Sequence, residues 1–579
     1  MRRNLTQLTQ QPYDLVIIGG GIYGAATAWE ASLRGLSVAL VEKSDFGSAT
    51  SANSLKVIHG GLRYLQHADF KRTRESICER KTLMRIAPHL IHPLPVMIPT
   101  YGYGMKGKQA FAVGLKLYDI IGFDRNRLPD PQKHIPSGRV ISKDESLRIM
   151  PGLPTEGLTG GAIFYDAQVY NSERLIISFL KSAAQAGATI TNYVEVTGFL
   201  TTHGVVTGVK VKDTLSGNAF DVQAKMVVNT AGPWIDKVLT RTQKLASQPP
   251  LRLAKAINLI TRPLIDKYAV GFSSQEIYED ADAIVKRGSR FYFIAPWRDK
   301  SMIGTDYLLY DGDPDDFEIT EAEVLKFLND VNQAYPPAKL KPEDITFVHG
   351  GLVPVSGVET KTNSIQLMKH YQIQDYRQKG LSGLISVVGV KYTTARDMAR
   401  KTIDYVYQLW GQQPSPSKSA VTPLYDGQID AFDSFLQTEI KKRSAELKEA
   451  TLQRLIYNYG SAYPEVLRYF PSHQSKSHSD LAVIEAEVLH GIHHEMAQKL
   501  TDIIFRRTEL GTAGYPGREV VEFCATVMGR ELNWSQSKIT LEIQAVNTCL
   551  RTTGSEETYA TGLNHRTDYS KTKLASSAV

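Results

Sequence analysis

The chain is poor in cysteine: Cys78, Cys524 and Cys549 are the only three in 579 residues. They lie far apart, without a C-x-x-C pair or zinc-ligand spacing. That excludes a disulfide framework and predicts a reducing compartment. Long apolar runs are also missing. No stretch of about 18 apolar residues occurs, so no membrane-spanning helix is expected. The start Met1-Arg2-Arg3-Asn4-Leu5 is basic, but Thr6 to Gln11 is polar where a signal peptide needs its apolar region. Charge of one sign is not concentrated. A net charge of +7 and a pI near 8.9 are spread over the chain, unlike the basic stripe of a nucleic-acid binder. The mild excess suits an anionic substrate or an anionic membrane surface, although most such excesses are solvated faces. Internal repeats are absent.

What is present alternates. Strand-like and helix-like patterns follow each other from Tyr13 to about Trp410, which predicts an α/β fold. Gly411-Gln-Gln-Pro-Ser-Pro-Ser417 looks like a linker, taken as 411–423. Beyond it Ile484, Val488, Ile492, Met496, Leu500 and Ile504 recur every four residues, placing them on one helical face. Residues 424–550 are therefore expected to form a helical domain, and 551–579 a disordered polar tail. His490, His493 and His494 read as a solvated helix face rather than a metal site, since no further ligand is evident.

The strongest local motif is Asp14-Leu-Val-Ile-Ile-Gly19-Gly20-Gly21-Ile22-Tyr23-Gly24. An apolar strand runs into G-x-G-x-x-G and then a helical pattern. Gly19 permits the turn, Gly21 admits a pyrophosphate, and Gly24 lets helix and strand pack closely. A second strand, Ser37 to Val41, ends at Glu42, where a ribose-binding acid belongs. Two later strand ends carry glycine: Met226 to Trp234, with Ala231 and Gly232, and Leu384 to Thr394, with Gly389, Lys391, Tyr392, Thr393 and Thr394. So many contact points suit a flavin better than a nicotinamide. A helix starting at Thr393 and Thr394 would favour the negative charge that a flavin gains on reduction.

These points, together with Ser54-Leu-Lys-Val-Ile-His59-Gly60-Gly61-Leu62-Arg63-Tyr64-Leu65, resemble the FAD-dependent glycerol-3-phosphate dehydrogenase family, whose pattern here is S-x-K-x-I-H-G-G-L-R-Y-L. The likeness continues through Ala87-Pro88-His89-Leu90, Ala295-Pro296-Trp297, Gly312-Asp313-Pro314 and Arg506-Arg507-Thr508-Glu509-Leu510-Gly511. It covers nearly the whole chain except the tail. The resemblance implies a Rossmann-like FAD domain built from segments 13–90, 146–238 and 350–410. A substrate domain with an antiparallel sheet, from 91–145 and 239–349, would be inserted between them. It also implies oxidation of sn-glycerol 3-phosphate to dihydroxyacetone phosphate, with the C2 hydride passing to flavin N5 and the electrons to a quinone or oxygen. The expected location is cytoplasmic, peripheral on the inner face of the membrane. FAD contacts are expected at Gly19, Gly20, Gly21, Gly24, Glu42, Lys43, Thr50, Ser51, Ser54, His59, Gly60, Gly61, Val194, Ala231, Gly232, Gly389 and Lys391 to Thr394. Arg63, Tyr64 and Lys391 are expected at the substrate. For Arg63 a loop brace, for Lys391 a surface position and for His59 a structural role are the competing readings.

Three positions depart from the family pattern. G-V-R-P-L is Gly351-Leu352-Val353-Pro354-Val355, so a substrate arginine is valine. K-G-S-H is Lys255-Ala256-Ile257-Asn258, so a histidine is asparagine. An arginine before a tyrosine aligns with Lys369 before Tyr371. Weak phosphate binding is expected in consequence, with His349 as the nearest replacement base. Two other readings follow from these departures: a different small hydroxy- or amino-acid-like substrate, or a flavin-binding homologue with a weakened site. Because all three cofactor motifs precede Gly411, the helical domain is expected to be dispensable for holding FAD.

Overall fold

Strand Tyr13–Ile18 is buried along nearly its whole length, as a near-continuous apolar run must be when both sheet faces are covered. Leu15 and Ile17 face a core shared with helices Ile22–Leu33, Ser172–Gln185 and Ala395–Leu409. Val16 and Ile18 face a second core with Val194, Val196 and Val209. Ala25, Ala26, Ala28 and Ala31 keep the first helix slim, so that the other two pack against it. The computed structural model describes all residues except 103–106, 246–249, 280–286, 359–364, 471–479 and 551–579. The expected disordered tail lies outside the described residues.

Two sheets organise the chain. The first runs, in spatial order, Gln372–Asp375, Leu384–Val388, Ala219–Asn229, Tyr13–Ile18, Val38–Val41 and Thr189–Thr191. Along this order it is parallel except at its first pair, and Val205–Asp213 and Val194–Thr202 extend it through two antiparallel pairings from Ala219–Asn229. The second is antiparallel apart from one pair, Ala269–Glu279 beside Ile91–Tyr101. It draws on more of the sequence than the segment boundaries anticipated. Strand Leu158–Val169, expected in the nucleotide segments, pairs instead with Ile91–Tyr101. Val57–Ile58 joins the same sheet. Strand Ile345–Val358 runs straight through the expected boundary at residue 350. The reason is register: a strand twelve or fourteen residues long cannot change sheets midway without a break in its ladder.

The stretch after Gly411 is not a free linker. Ser419 is fully buried and accepts from Arg396, and the Ser417 hydroxyl donates to Glu30. The expected single helical face from Ile484 to Ile504 is also interrupted. Helix Asp480–Glu495 stops, Met496 adopts a left-handed φ of 59°, and a short helix at Leu500–Asp502 leads into a π-helical turn, Ile503–Arg507. Ile484, Val488, Met496, Leu500 and Ile504 are buried and Ile492 is half-buried, but they are divided among the long helix, the break at Met496, the short helix and the π-helical turn.

That π-helical turn reaches back to the nucleotide half. Arg506 and Arg507 both donate to the carboxylate of Asp45, Arg507 in bidentate fashion at 2.8 and 2.7 Å. Asn192 adds a bond of 2.9 Å to the same group. Asp45 sits between Glu42 and the Gly47–Ser51 loop and is 1% exposed. Burial raises its pKa, but the Arg507 and Arg506 charges outweigh burial and hold it well below the usual carboxylate range. Nearby, Arg174 pairs with Glu495 at 2.6 and 2.8 Å, both fully buried. These ion pairs weigh against the expectation that the helical domain is dispensable for holding FAD, because truncation near Pro414 would remove the counter-ions of Asp45 and Arg174.

Removing one partner of a buried ion pair costs about 3–5 kcal/mol. Asp45→Asn keeps the shape and removes the charge. It is expected to lower the melting temperature by several degrees and to loosen the cofactor loop, measured as flavin lost on gel filtration. Unchanged melting together with full flavin retention would show that the clamp is not needed.

Candidate functional site

The ends of the parallel strands open onto one cavity of about 1540 Å³ between the two sheets. Its nucleotide end is built by the glycine turn. Gly19 has a φ of +102°, and a side chain at Gly24 would place its Cβ 1.9 Å from the Gly19 carbonyl. Gly20 and Gly24 thus shape the turn without lining the cavity, while Gly19 and Gly21 line it. Helix Ile22–Leu33 starts here, and its Ile22 N–H donates to the Ser51 hydroxyl at 3.1 Å. Glu42 accepts from the Gly20 and Ser44 N–H groups at 2.6 and 2.9 Å. Burial raises its pKa against those bonds. A carboxylate offers about four acceptor positions, so capacity remains for two ribose hydroxyls.

The walls come from the loop after Glu42 and the later strand ends. Lys43 lies 4.2 Å over the Trp234 ring and 2.6 Å from Asp315. The Thr50 hydroxyl donates to the Leu352 carbonyl at 3.0 Å and fastens this loop to strand Ile345–Val358. The Ser54 hydroxyl accepts from Lys56 N–H at 3.2 Å. Val194 donates to the Glu42 carbonyl at 2.7 Å. Val194, Ala231, Gly232, Gly389 and Thr393 all line the cavity. Tyr392 also lines it and donates to the Ser172 carbonyl at 3.1 Å. Thr394 is the N-cap of helix Ala395–Leu409 and makes no side-chain cap bond. Thr394 is absent from the cavity wall, the Ala395 N–H donates to the Tyr392 carbonyl at 3.2 Å, and the Glu79 carboxylate accepts from the Asp397 N–H, so the start of this helix is met from within the chain. The glycine cradle and the spare acceptors of Glu42 fit the dinucleotide part of FAD.

Lys391 follows the end of a strand three places from the one leading into Glu42. Its ammonium lies 4.0 Å from the centroid of the Tyr64 ring. The Tyr64 hydroxyl is 3.4 Å from His59 Nε2. Burial, then the charges of Lys391, Arg72 and Arg80, push the His59 pKa down to about 3 and keep the ring neutral. Burial, then Arg72, lowers Lys391 to about 7. Gly60 lies behind the wall, where its N–H donates to Asp166 at 2.6 Å. Gly61, with its left-handed φ of +79°, turns the chain into the Leu62–His67 helical turn that carries Arg63 to the exposed cavity rim.

The departures from the family pattern fall on the same walls. Val353, Asn258 and Lys369 all line the cavity. Asn258 accepts from the Thr305 hydroxyl at 2.8 Å and donates to the Asn53 carbonyl at 3.4 Å, so it braces rather than acts as a base. His349 is corrected as a replacement base. It is 1% exposed and absent from the cavity wall. Its ring nitrogens face the Asn53 side-chain oxygen at 3.2 Å and the Thr512 carbonyl at 3.1 Å. His490 and His494 stack at 5.0 Å, with Glu495 3.4 Å from His490. His490 belongs to the buried ion network, whereas His494 is half-buried against the Tyr469 hydroxyl at 2.9 Å and His493 remains at the surface beside Glu531.

One cavity residue escaped sequence reasoning. Arg72 lies in Asp69-Phe-Lys-Arg-Thr-Arg74, which reads as a solvated charge run. Helix Phe70–Ile86 instead turns Arg72, Ser76 and Arg80 inward, every fourth residue, and buries all three. That spacing was the available signal.

The chain matches the family model described as FAD dependent oxidoreductase over residues 14–374, and that of the C-terminal domain of alpha-glycerophosphate oxidase over residues 425–539. It is 32% identical over 556 residues to a glycerol-3-phosphate dehydrogenase of Synechocystis sp., covering 94% of this chain and 97% of the relative. The mitochondrial glycerol-3-phosphate dehydrogenase of Homo sapiens is 31% identical over 559 residues, covering 92% and 72% respectively. The crystal structure of the glycerol-3-phosphate dehydrogenase from Bacillus halodurans complexed with FAD superposes with a TM-score of 0.73 at 25% identity, covering 96% of this chain and 98% of that one. The chain therefore belongs to the FAD dependent oxidoreductase family, in the branch that carries the C-terminal domain of alpha-glycerophosphate oxidase.

Proposed function

We propose that this protein oxidises sn-glycerol 3-phosphate to dihydroxyacetone phosphate and hands the electrons to a quinone at the inner surface of the cytoplasmic membrane. The observation that carries the reading is the joining of two chemistries in one cavity. A dinucleotide cradle runs from Glu42 and the glycine turn at residues 19–21 to the strand end at residues 389–393, and cations meet it there. Arg63, Arg72, Lys369 and Lys391 all line that cavity, which suits a small anionic substrate. FAD, when bound, supplies the acceptor for the C2 hydride. The chain supplies position: a phosphate held by fixed cations limits the poses of the three-carbon unit, and such restriction accounts for much of an enzyme's advantage. His59, held neutral, offers a hydrogen-bond acceptor beside the Tyr64 hydroxyl.

The acceptor and membrane parts of the reading rest on helix Lys108–Ile121. Its inner face carries Phe111 and Leu115 onto the cavity wall, against Leu94, Val96 and Phe164 of the second sheet. Its outer face leaves Val113 69%, Ile120 70% and the following Phe123 70% exposed, beside exposed Lys116 and Arg127. An apolar stripe flanked by cations fits an anionic lipid surface. No helix among the described residues is long and apolar enough to cross a membrane. A second reading, a different small hydroxy- or amino-acid-like substrate, is favoured by Val353 alone.

Anaerobic glycerol 3-phosphate is expected to bleach the bound flavin fully, followed by absorbance. Bleaching by another hydroxy or amino acid but not by glycerol 3-phosphate would select the second reading. No bleaching by either class would leave a flavin-binding homologue. Gly21→Val is expected to abolish flavin binding, because a branched side chain would enter the pyrophosphate path beside the Ser51 hydroxyl, already 3.1 Å from a Cβ built at this site. A variant that purifies with full yellow absorbance would overturn the assignment of this loop.

A further inference from the structure

Val353 leaves the substrate site without the arginine of the family pattern, and the structure offers a residue in its place. We propose that Arg72 is a specificity-determining residue that, with Lys391, receives the anionic phosphate of the substrate. This rests on the reading of the substrate as a phosphate monoester.

Arg72 is 8% exposed and lines the cavity. Its Nε is buried and has no hydrogen-bond partner. Its ion-pair contact, to Asp69, is 3.5 Å long, well beyond the 2.7–2.9 Å typical of a charge-assisted bond. Asp69 Oδ1 accepts from the Arg72 backbone N–H at 2.9 Å as the helix N-cap, and its Oδ2 is the oxygen that stands 3.5 Å from the guanidinium. The other nearby acids have cationic partners of their own. Glu75 pairs with Lys401 at 2.9 Å, and Asp166 faces the Gly60 N–H at 2.6 Å and Arg80 at 3.3 Å. Arg80, Arg298 and Arg506 also keep buried nitrogens without a hydrogen-bond partner, but unlike Arg72 they do not line the cavity. Arg174, Arg396 and Arg507 each bind a carboxylate through two nitrogens. A buried guanidinium short of acceptors calls for an explanation, and an anion in the cavity provides one.

Arg72 and Lys391 each lie 4.0 Å from the centroid of the same Tyr64 ring. Two like charges so placed repel each other, and a dianion brought to them relieves the repulsion. The charged and titratable groups around Lys391 are Arg72, Glu75, Asp69 and Tyr64, with His59 held neutral nearby. With the Lys391 pKa lowered to about 7 by burial and then by Arg72, a dianion pulls the proton back on. A phosphate monoester becomes a dianion only above its second pKa of about 6, so binding is strongest near neutrality, where the dianion meets a protonated Lys391, and weakens as pH rises through the Lys391 pKa.

The test uses the holoenzyme and two readouts. Loss of one charge-assisted bond, about 1.5–3 kcal/mol, corresponds to roughly a 10- to 150-fold loss of binding. Arg72→Leu is expected to raise the Kd for inorganic phosphate by that factor in calorimetry at pH 7, and the KM for glycerol 3-phosphate likewise, with kcat changed much less. It is also expected to move the alkaline weakening of phosphate binding to higher pH, because Lys391 loses a like-charged neighbour. Arg72→Lys is expected to restore part of the affinity. An unchanged phosphate Kd overturns the proposal, and so does a loss of affinity with the pH limb unmoved. Because the phosphate titration needs no turnover, failure of glycerol 3-phosphate to bleach the flavin would sink the substrate reading while leaving Arg72 to be judged on phosphate alone.

Discussion

The buried carboxylate of Asp45 is the constraint on which most of the architecture depends. It sits on the loop that shapes the nucleotide end of the cavity, yet its counter-charges come from residues about 460 positions later. Leaving that charge without its partners costs about 3–5 kcal/mol, a large share of a protein's net stability. The π-helical turn Ile503–Arg507 therefore holds the loop in this conformation. The same logic holds at the second contact. Arg174, near the start of helix Ser172–Gln185, needs Glu495 at the end of helix Asp480–Glu495. The helical region is thus a partner to the cofactor loop and not an appendage.

With the loop fixed, the cavity acquires two electrostatic ends. The nucleotide end offers N–H groups, a helix dipole and one carboxylate, suited to sugar hydroxyls and phosphates. The other end gathers cations with few acids to spare. Between them the second sheet presents apolar side chains. Leu94, Val96 and Ile98 are alternate residues of one strand and so share one face, and Phe164 stands beside Val96 in the register. A polar reaction centre then lies against a dry wall, where fixed charges act more strongly than in water.

What the sequence disclosed divides by range. The glycine turn, Glu42 and the strand ends were legible because each rests on a local pattern: a strand, a tight turn, a helix start. The position of His59, Arg63, Tyr64 and Lys391 on one cavity was legible only through family resemblance, since no periodicity joins residue 64 to residue 391. Features that depend on distant partners were not legible. Strand Leu158–Val169 reads equally well in either sheet until its partner is known. The four-residue period from Ile484 to Ile504 correctly marks buried positions but cannot show the break at Met496, where the chain turns to present Arg506 and Arg507. His349 reads as a spare base by proximity in sequence, but strand pairing seats it between Asn53 and Thr512.

The contrast between His59 and Lys391 shows how the cationic end works as a unit. Both are pushed toward neutrality by burial and by their neighbours. The shift has different consequences because their ordinary pKa values differ. His59 ends far below physiological pH and stays an uncharged acceptor under all working conditions. Lys391 ends near neutrality, where the arrival of one anion is enough to set its charge. The site thus carries no more positive charge than its surroundings can bear until a substrate brings the compensating negative charge. A neutral ligand of the same shape brings no such compensation and leaves Lys391 without its proton as pH rises. On the proposed role of Arg72 and Lys391, discrimination in favour of phosphate esters comes from the recharging of Lys391 by the anion as well as from new bonds.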